Sequence, residues 1–568
     1  MEIKLEDKYK LSKGTRFLTG AQALVRVPIV QARRDKQKNL NTACYISGYR
    51  GSPLGGYDQQ ILKNKKYLNE NNIFFQPGIN EELAATSLWG TQQVNLRKQD
   101  KYDGVFGIWY GKGPGVDRAG DALKHVNLAG TSKFGGVIAL MGDDHICESS
   151  TTSHQSEFAM IDAMIPFFNP SGVQEILDYG IIGIELSRKS GCWVGIKCVH
   201  DNVSSGATVD LDENRLNLLD ISNEKYPPDG LNIRLKDTAQ EKEYRLHHHK
   251  IKYVKEFCKL NSLNKLIFDS ENPKVGIIST GKSFLDTKLG LEKIGINEDV
   301  ANQVGIKFLK IAMPWPLEET IIEKFSENLE KIIVVEEKRS IIETQVKEIL
   351  FNKNLNIKVV GKKDENNNDL FVSSGALDPG EIGLKIFGII NYLNLPDEVH
   401  NLSKKLKSLK EKTNSNISLK RVPHFCSGCP HNTSTRIPEG SRAITGISCA
   451  YLVEHMERDN EGFSQMGSEG ATWVGESVFS NTDHVFQNMG DGTYIHSGIL
   501  SIRHAVAAKT KMTFKILYND AVALTGGQAL DGLPTVAQMS KQLEAEGVEE
   551  IAIITDEIEK YSDKGGLA

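Results

Sequence analysis

The hydrophobic pattern of the first 220 residues alternates short apolar runs with glycine-rich turns and polar stretches. The apolar run 105–110 ends in Gly-Lys-Gly-Pro-Gly (111–115), and the run 137–141 ends in Gly-Asp-Asp-His. An apolar run, a Gly or Asp turn and then a polar helix-like stretch is typical of a parallel sheet covered by helices on both faces. The pattern predicts an α/β fold of doubly wound parallel sheets, which bind ligands at the carboxyl ends of their strands.

A second α/β unit is indicated further along the chain. Residues 226–270 are highly charged and lose the alternation, which predicts a connector. A strand at 274–279, another at 332–335 and a following helix predict a smaller α/β domain over 271–403. That helix is marked by apolar residues at helical spacing: Ile341, Ile342, Val346, Ile349 and Leu350. The predicted order is 1–225, connector 226–270, 271–403, linker 404–423 and a last unit 424–568.

The last unit shows strand-like runs at 484–489, 513–518 and 551–555. The sequence stops thirteen residues after the third run. A doubly wound domain usually continues there with a further helix and strand. We therefore expect this unit to be incomplete.

Composition narrows the class of protein. The 568 residues carry 68 Lys and Arg against 73 Asp and Glu, a net charge of −5, with 39% hydrophobic residues. No run approaches the ~18 apolar residues of a membrane helix, the polar start lacks a secretory signal, and nothing indicates a basic nucleic-acid surface. Eight unevenly spaced cysteines favour reduced thiols or metal ligands over a disulfide scaffold. We expect a cytoplasmic enzyme that binds neither nucleic acid nor a membrane.

The strongest chemical signal follows two predicted strands of the last unit. Gly490-Asp491-Gly492 comes after the run 484–489, and Asn519 follows the run 513–518, with 27 residues between Asp491 and Asn519. A carboxylate and an amide oxygen that converge there suit Mg²⁺, and glycines let the backbone approach phosphates near a helix start. A plain Asp-Gly turn and an unrelated asparagine would explain Gly-Asp-Gly alone. The strand context favours a site for a metal and a diphosphate.

Three cysteines form the second signal. Cys426, Cys429 and the following Pro430-His431 make a Cys-x-x-Cys-Pro-His motif, and nineteen residues separate Cys429 from Cys449. Spacing alone leaves two equal choices: an iron–sulfur cluster, or zinc with His431 or His455 as fourth ligand. A thioredoxin-like redox pair is a third reading, but the fold signals that usually surround it are missing.

The first unit offers acidic candidates. Asn80-Glu81-Glu82 stands at a strand end that opens a helix, and in isolation it indicates a helix cap with solvated acids. The turn 111–115 lacks the Gly-Lys-Ser/Thr ending of a P-loop, so we expect it to line a cofactor cleft. The loop after residue 142 holds further candidates for contact with substrate: Asp143, Asp144, His145 and His154.

Together these stretches resemble a known family. Gly490-Asp491-Gly492 with Asn519 is similar to the thiamine diphosphate motif, although Asp520 stands where that motif has a second asparagine. The chain resembles the 2-oxoacid:ferredoxin oxidoreductases, most closely the indolepyruvate ferredoxin oxidoreductases in their fused long form. The matching stretches follow the family's order over nearly the whole chain: 48–55, 80–81, 426–431, 446–449, 490–493 and 519–528.

The resemblance implies a role for each part of the chain. The first unit would be the pyrimidine-binding domain, with Glu81 against the aminopyrimidine and Ser52 near the substrate. The middle unit would be a transketolase-C-terminal-like domain, and the last unit would bind the diphosphate. The resemblance implies Mg²⁺ ligation by Asp491, Asn519 and the Ala521 carbonyl. It implies cofactor contacts by Gly490, Gly492 and Thr525, and a [4Fe-4S] cluster on Cys426, Cys429 and Cys449.

The implied reaction is the oxidative decarboxylation of a 2-oxoacid such as indolepyruvate to an acyl-CoA. Electrons would pass through the cluster to ferredoxin, and coenzyme A would take the acyl group. The family's fourth cluster cysteine has no counterpart after Cys449, so we expect a smaller partner subunit or a missing region, and a homo-oligomer. Two alternatives stay open: a non-oxidative thiamine diphosphate decarboxylase or carboligase, and a truncated cofactor-binding chain that needs a partner.

Overall fold

The computed structural model describes residues 4–97, 100–221, 226–353, 355–414, 422–519, 521–522 and 527–561. The chain divides into two compact units, Met1–Ile417 and Ser418–Ala568. Within the described residues no helix is both long enough and apolar enough to cross a membrane. Each unit has its own sheet system and is described by itself.

The first unit contains a six-stranded sheet, a five-stranded sheet and an antiparallel pair. The six-stranded sheet has the order β3-β2-β4-β5-β7-β6 and is parallel throughout, and the five-stranded sheet has the order β13-β12-β10-β11-β9 with only β9 antiparallel. The strands are β1 (Thr15–Thr19), β2 (Thr42–Gly48), β3 (Ile73–Phe75), β4 (Gly104–Lys112), β5 (Val137–Asp143), β6 (Phe167–Phe168), β7 (Val194–Val199), β8 (Gly206–Asp210), β9 (Lys265–Phe268), β10 (Val275–Thr280), β11 (Ile306–Ile311), β12 (Lys331–Val335) and β13 (Lys358–Val360).

Helices connect and cover these strands. In chain order they are α1 (Asp7–Lys10), α2 (Gly20–Gln37), α3 (Gly55–Lys63), α4 (Lys65–Asn69), α5 (Glu81–Gln92), α6 (Gly113–Arg118), α7 (Gly120–Ala129), α8 (Glu157–Asp162), α9 (Val173–Ser190), α10 (His200–Val203), α11 (Ala239–Arg245), α12 (Ile251–Leu260), α13 (Gly281–Lys293), α14 (Glu298–Val304), α15 (Glu319–Ser326), α16 (Ile342–Phe351), α17 (Pro379–Ile390) and α18 (Asp397–Asn414).

The six-stranded sheet is buried on both faces, as the apolar runs predict. Along β5, Ile138 and Leu140 pack with the α2 and α9 side, whereas Ala139 and Met141 pack with the α5 and α7 side. All seven residues of β5 are buried. Successive side chains point to opposite faces of a strand, so a strand covered on both sides must be apolar at every position. The predicted α/β class with doubly wound parallel sheets is confirmed.

The segments that the sequence assigns to the connector and the linker contain regular structure. Residues 226–270 hold α11, α12 and β9, and Val254 and Phe257 of α12 are buried in the core beside the six-stranded sheet. Residues 404–414 continue helix α18. In α12 and α18 the charged positions are exposed or half-buried while apolar positions on one face are covered, which a pattern of overall charge does not reveal.

The second unit has a parallel three-stranded sheet of order β14-β15-β16: β14 (Ala443–Ile444), β15 (Val485–Gly490) and β16 (Met512–Leu517). A small antiparallel pair, β17 (Ala521–Val522) and β18 (Gln528–Ala529), follows. The helices are α19 (His431–Ser434), α20 (Ala471–Glu476), α21 (Asp491–Thr493), α22 (Ile499–Ala507) and α23 (Val536–Ala545). Two of the three predicted strands are therefore present within one residue of their expected bounds.

The third predicted strand, 551–555, is not formed. These residues have no strand pairing, and the side chains of Ile551 and Ile554 are 41% and 97% exposed. Residues that favour strands do so because their side chains pack well on a half-buried sheet. A strand therefore forms only where a neighbouring strand pairs with it and other residues cover one of its faces. This part of the prediction is wrong because neither is provided for these residues.

A buried carboxyl group joins the loops of the second unit. Glu469 is fully buried, and its Oε2 accepts a hydrogen bond from the Gly467 N–H at 2.7 Å. Burial raises the pKa of this carboxyl to about 7, and the amides of Gly467 and Ile447 and the hydroxyl of Thr493 partly oppose that rise. Glu469 thereby stabilises the turn at Gly467 by a hydrogen bond to its backbone.

The raised pKa of Glu469 predicts a pH-dependent stability. An unfolded glutamate ionises near pKa 4.5 and the folded one near pKa 7, so between these values the folded chain holds a proton that the unfolded chain has lost. Stability therefore falls as pH rises from 4.5 to 7, by on the order of 3 kcal/mol. Glu469→Gln, which cannot ionise, should remove this loss.

Pulse proteolysis in urea between pH 5 and 8, following peptides of the second unit in the full chain, measures the effect. The matched control is Glu461→Gln, because Glu461 is exposed and should leave the wild-type curve unchanged. Parallel unfolding midpoints of wild type and Glu469→Gln over this pH range would show that the buried carboxyl does not titrate as described.

Candidate functional site

Asp491 and Asn519 meet at the carboxyl ends of two adjacent parallel strands. Gly490 is the last residue of β15 and lies opposite Leu517, the last residue of β16. The buried Asp491 carboxylate accepts hydrogen bonds from the N–H of Gly492 at 2.7 Å and from the N–H of Asn519 at 2.9 Å. The structure thus brings the Asp491 carboxylate to the backbone of Asn519, although 27 residues separate the two in sequence.

The space beside this pair suits a ligand that approaches the backbone. A β-carbon placed on Gly490 would meet no atom of the described residues within 4 Å, so these residues leave space beside the strand end. Carboxylate and amide oxygens are ligands that Mg²⁺ accepts, and a diphosphate can approach a glycine backbone closely. These residues therefore fit a magnesium diphosphate.

The other predicted members of this group are only partly described. Ala521 lies in β17, which runs close to α21 and so to Asp491. Thr525 and Asp520 lie outside the described residues. The predicted ligand role of the Ala521 carbonyl and the cofactor contact of Thr525 stay predictions.

The three predicted cluster cysteines lie near one another. Cys449 is partly buried, and its pKa is raised by burial and by the neighbouring thiols of Cys429 and Cys426. The Cys-x-x-Cys turn depends on Gly428, whose φ of +75° lies in the left-handed region that favours glycine. Within the described part of the chain no group of three His, Cys, Asp or Glu side chains is arranged closely enough to hold a metal ion. The sulfurs are therefore neighbours without forming a closed ligand set.

His431 connects the cysteine motif with the diphosphate motif. Its imidazole is buried and lies edge-on against Phe425, with ring centroids 5.4 Å apart. Burial lowers the pKa of His431, and the nearby Asp491 carboxylate partly restores it. The Cys-Pro-His motif and Asp491 therefore lie on the same side of the second unit. His455, the other histidine considered as a zinc ligand, instead packs against Tyr451.

Glu81 of the first unit is a buried acid. It begins α5, and the side chain of Asn80 caps that helix by accepting the Leu83 N–H at 2.9 Å. The expected helix cap is therefore present, but Glu81 is only 4% exposed, so it is not a solvated acid. The indole of Trp109 donates to the Glu81 carbonyl at 3.0 Å.

The start of α6, directly after β4, lies beside the Glu81 carboxyl group. A β-carbon on Gly115 would lie 2.4 Å from Glu81 Oε1, so only glycine leaves room for the carboxyl there. A β-carbon on Gly51 would lie 2.7 Å from Cδ of Lys112, which places the stem of Lys112 against the loop that carries Ser52. Ser52 itself is partly exposed. Residues 111–115 form the end of β4 and the start of α6 rather than the turn that the sequence predicts, and they lie beside both Glu81 and the Ser52 loop.

The acids and histidines of the next loop mostly face the protein interior. Asp143 accepts hydrogen bonds from the N–H and hydroxyl of Ser156 and lies 3.7 Å from Lys197. His145 lines a cavity between the two large sheets of the first unit, and its pKa falls to about 2 through burial and the nearby lysines. Asp144 accepts the Ser149 N–H at 2.7 Å and remains partly exposed. Asp143 is therefore held by Ser156 and Lys197, whereas the buried imidazole of His145 borders the cavity.

Two residues with electrostatic importance escaped the sequence analysis. Glu469 stands outside every motif, and only its place between two loops makes it notable. Lys112 belongs to the Gly-Lys-Gly-Pro-Gly stretch (111–115), which the sequence as a whole predicts to line a cofactor cleft, with no separate role for the lysine. The position of Lys112 between two glycines could have drawn attention to it, because its side chain must project from the strand end.

Comparisons with known proteins agree with the motifs. Residues 265–416 match the profile of the indolepyruvate oxidoreductase domain, and residues 449–554 match the C-terminal TPP-binding domain of thiamine pyrophosphate enzymes. Two relatives are named indolepyruvate oxidoreductase subunit IorA. The one from Methanothermobacter marburgensis is 24% identical over 97% of this chain and 82% of its own. The one from Pyrococcus horikoshii is 26% identical over 91% of this chain and 76% of its own.

Solved structures show a more distant likeness. A 2-oxoglutarate:ferredoxin oxidoreductase from Magnetococcus marinus, solved with 2-oxoglutarate, coenzyme A and succinyl-CoA bound, aligns over 66% of each chain with a TM-score of 0.48 and 13% identity. A split-gene transketolase aligns over 66% of this chain and 98% of its own with a TM-score of 0.39 and 11% identity. The fold assignment rests on the strands described above and on the matched TPP-binding domain. The resemblance drawn from the motifs is confirmed: over nearly its whole length the chain is similar to proteins named indolepyruvate oxidoreductase subunit IorA.

Proposed function

We propose that this chain is the thiamine diphosphate-binding subunit of a cytoplasmic enzyme that oxidatively decarboxylates a 2-oxoacid. The proposed substrate is an aryl pyruvate such as indolepyruvate, and the products are CO₂ and an acyl-CoA. The observation that carries the proposal is the meeting of Asp491 and Asn519 beside the open strand end at Gly490, inside the segment that matches a TPP-binding domain.

The overall reaction releases two electrons, so the enzyme must supply a route for them. A 2-oxoacid anion and the thiol of coenzyme A give an acyl-CoA, CO₂, one proton and two electrons. We propose that a [4Fe-4S] cluster on Cys426, Cys429 and Cys449 passes these electrons singly to ferredoxin, since such clusters carry one electron at a time. The relatives are named as subunits, which supports a smaller partner subunit, and that partner could provide a fourth ligand. We also expect the enzyme to be a homo-oligomer.

The chain's residues would hold and orient the cofactor, which when bound supplies the carbanion-stabilising thiazolium. Asp491, Asn519 and the Ala521 carbonyl would bind Mg²⁺ and so anchor the diphosphate, and Gly490, Gly492 and Thr525 would border it. The Glu81 carboxyl would share a proton with the aminopyrimidine ring, because its burial keeps water from competing for that hydrogen bond. Ser52 would lie towards the substrate.

The rival function is a non-oxidative thiamine diphosphate decarboxylase or carboligase, whose cysteines hold zinc or no metal. This rival is considered because Cys426 is exposed and the three sulfurs do not form a closed ligand set. It shares the thiamine site and differs only in the fate of the electrons. Metal content therefore distinguishes the two functions.

Asp491→Asn should weaken Mg²⁺-dependent binding of thiamine diphosphate by at least about 100-fold, because it replaces the anionic ligand with a neutral group of the same shape. Isothermal titration calorimetry with and without Mg²⁺ measures the loss. Asp483→Asn is the control, because Asp483 is exposed just before the same strand and should bind the cofactor as wild type does. Unchanged affinity in Asp491→Asn would remove the proposed site.

Glu81→Gln should leave thiamine diphosphate affinity within a few-fold but slow the exchange of the thiazolium C2 proton by about 10²- to 10⁴-fold, the usual contribution of a positioned acid–base group. Hydrogen–deuterium exchange at C2, quenched in acid and followed by NMR, measures this rate. Glu82→Gln, at the more exposed neighbouring residue, should exchange at the wild-type rate. Rapid exchange in Glu81→Gln would assign the proton transfer to another group.

Cys429→Ser should abolish absorption near 400 nm and reduce the iron content of anaerobically purified protein, because one cluster ligand is lost. Cys258→Ala serves as the control, since Cys258 is buried in the first unit and should leave iron and colour intact. A colourless wild-type sample that contains zinc would favour the non-oxidative rival, whereas colour retained in Cys429→Ser would show that this cysteine is not a ligand.

A further inference from the structure

Lys112 lies at the end of β4, beside the loop that carries Ser52. It is the last residue of β4 and stands directly before helix α6. Its aliphatic stem lies against the backbone of Gly51, where a β-carbon would come within 2.7 Å of Cδ. Since Gly51 precedes Ser52, the lysine lies directly beneath the loop that carries Ser52.

The ammonium group of Lys112 has donor capacity to spare. Within the described residues it donates one hydrogen bond, to the Ser149 carbonyl at a long 3.3 Å, although an ammonium has three N–H donors. Burial lowers the pKa of Lys112, and the nearby carboxylates of Glu81 and Asp144 partly oppose this. A largely buried cation with unused donors is costly unless an anion completes its surroundings.

The two nearby carboxylates have other tasks. Glu81 lies close to Gly115, and Asp144 accepts the Ser149 N–H at 2.7 Å. Within the described residues the Lys112 ammonium donates to neither carboxylate, and its acceptor is the Ser149 carbonyl. A small ligand with a planar carboxylate matches a lysine with free N–H groups, because charge-assisted hydrogen bonds are shorter and stronger than neutral ones.

We propose that Lys112 binds the carboxylate of the 2-oxoacid substrate beneath the Ser52 loop, next to Glu81. This inference rests on the proposed function, because it takes the substrate class from there. The interaction selects an acid over a neutral ketone of the same shape. When the carboxylate leaves as neutral CO₂, its charge pair with Lys112 no longer exists, so the lysine does not retain that product.

Binding of an acid and of its carboxyl-free counterpart tests this role. The full chain is loaded with Mg²⁺ and a thiamine diphosphate analogue that has no reactive C2 proton, and phenylpyruvate and phenylacetone are titrated by calorimetry. Wild type should bind phenylpyruvate about 10- to 100-fold more tightly than phenylacetone, as expected for hydrogen bonds between charged groups. Lys112→Met should lose this preference while keeping its affinity for the ketone, and Lys112→Arg should restore part of it.

Lys133→Met is the matched control, because Lys133 is an exposed lysine of the same unit, and it should keep the wild-type preference. A preference for the acid that persists in Lys112→Met would overturn the proposal. Failure of wild type to bind the cofactor analogue would overturn the proposed function and this inference together. Binding of the analogue without preference for the acid would overturn the role of Lys112 alone.

A pH titration of wild type makes the test independent of whether Lys112→Met folds. Because burial lowers the pKa of Lys112, affinity for phenylpyruvate should fall as pH rises through a midpoint below the ordinary lysine value, while affinity for phenylacetone stays level. Equal pH dependence for the two probes would contradict the assignment.

Discussion

The hydrogen bond between the Asp491 carboxylate and the Asn519 N–H results from the constraint on which the site of the second unit depends, the common edge of two parallel strands. Two parallel strands that lie side by side must end at the same edge, so residues just beyond them are forced together whatever their separation in sequence. Register holds Gly490 opposite Leu517. The α22 crossover between the two parallel strands brings the segments that follow them to this one edge.

The surroundings of Gly115 in the first unit and of Gly490 in the second unit differ. In the first unit a β-carbon on Gly115 would collide with the Glu81 carboxyl group, so this glycine makes room for another residue of the same chain. In the second unit a β-carbon on Gly490 would meet no atom of the described residues within 4 Å. None of those residues requires glycine there, which is consistent with a ligand that does.

Much of this could be predicted from sequence, because parallel buried strands leave a strong signal. The runs 137–141 and 484–489 predicted β5 and β15, and the residues after β15 and β16 predicted the meeting of Asp491 and Asn519. The run 551–555 is also rich in apolar residues that favour strands, but it forms no strand. Strand pairing depends on neighbouring strands, which composition does not report. Glu469 and Lys112 could not be found in this way, since burial and long-range electrostatics arise only in the folded chain.

The central claim is that Asp491 and Asn519 share a divalent ion that anchors thiamine diphosphate. A crystal structure of the full chain with thiamine diphosphate and Mn²⁺ in place of Mg²⁺ locates the ion directly by its anomalous scattering. The account predicts an ion about 2.1 Å from an Asp491 carboxylate oxygen and the Asn519 amide oxygen, with the diphosphate completing its shell. An ion and diphosphate bound away from both side chains would contradict it.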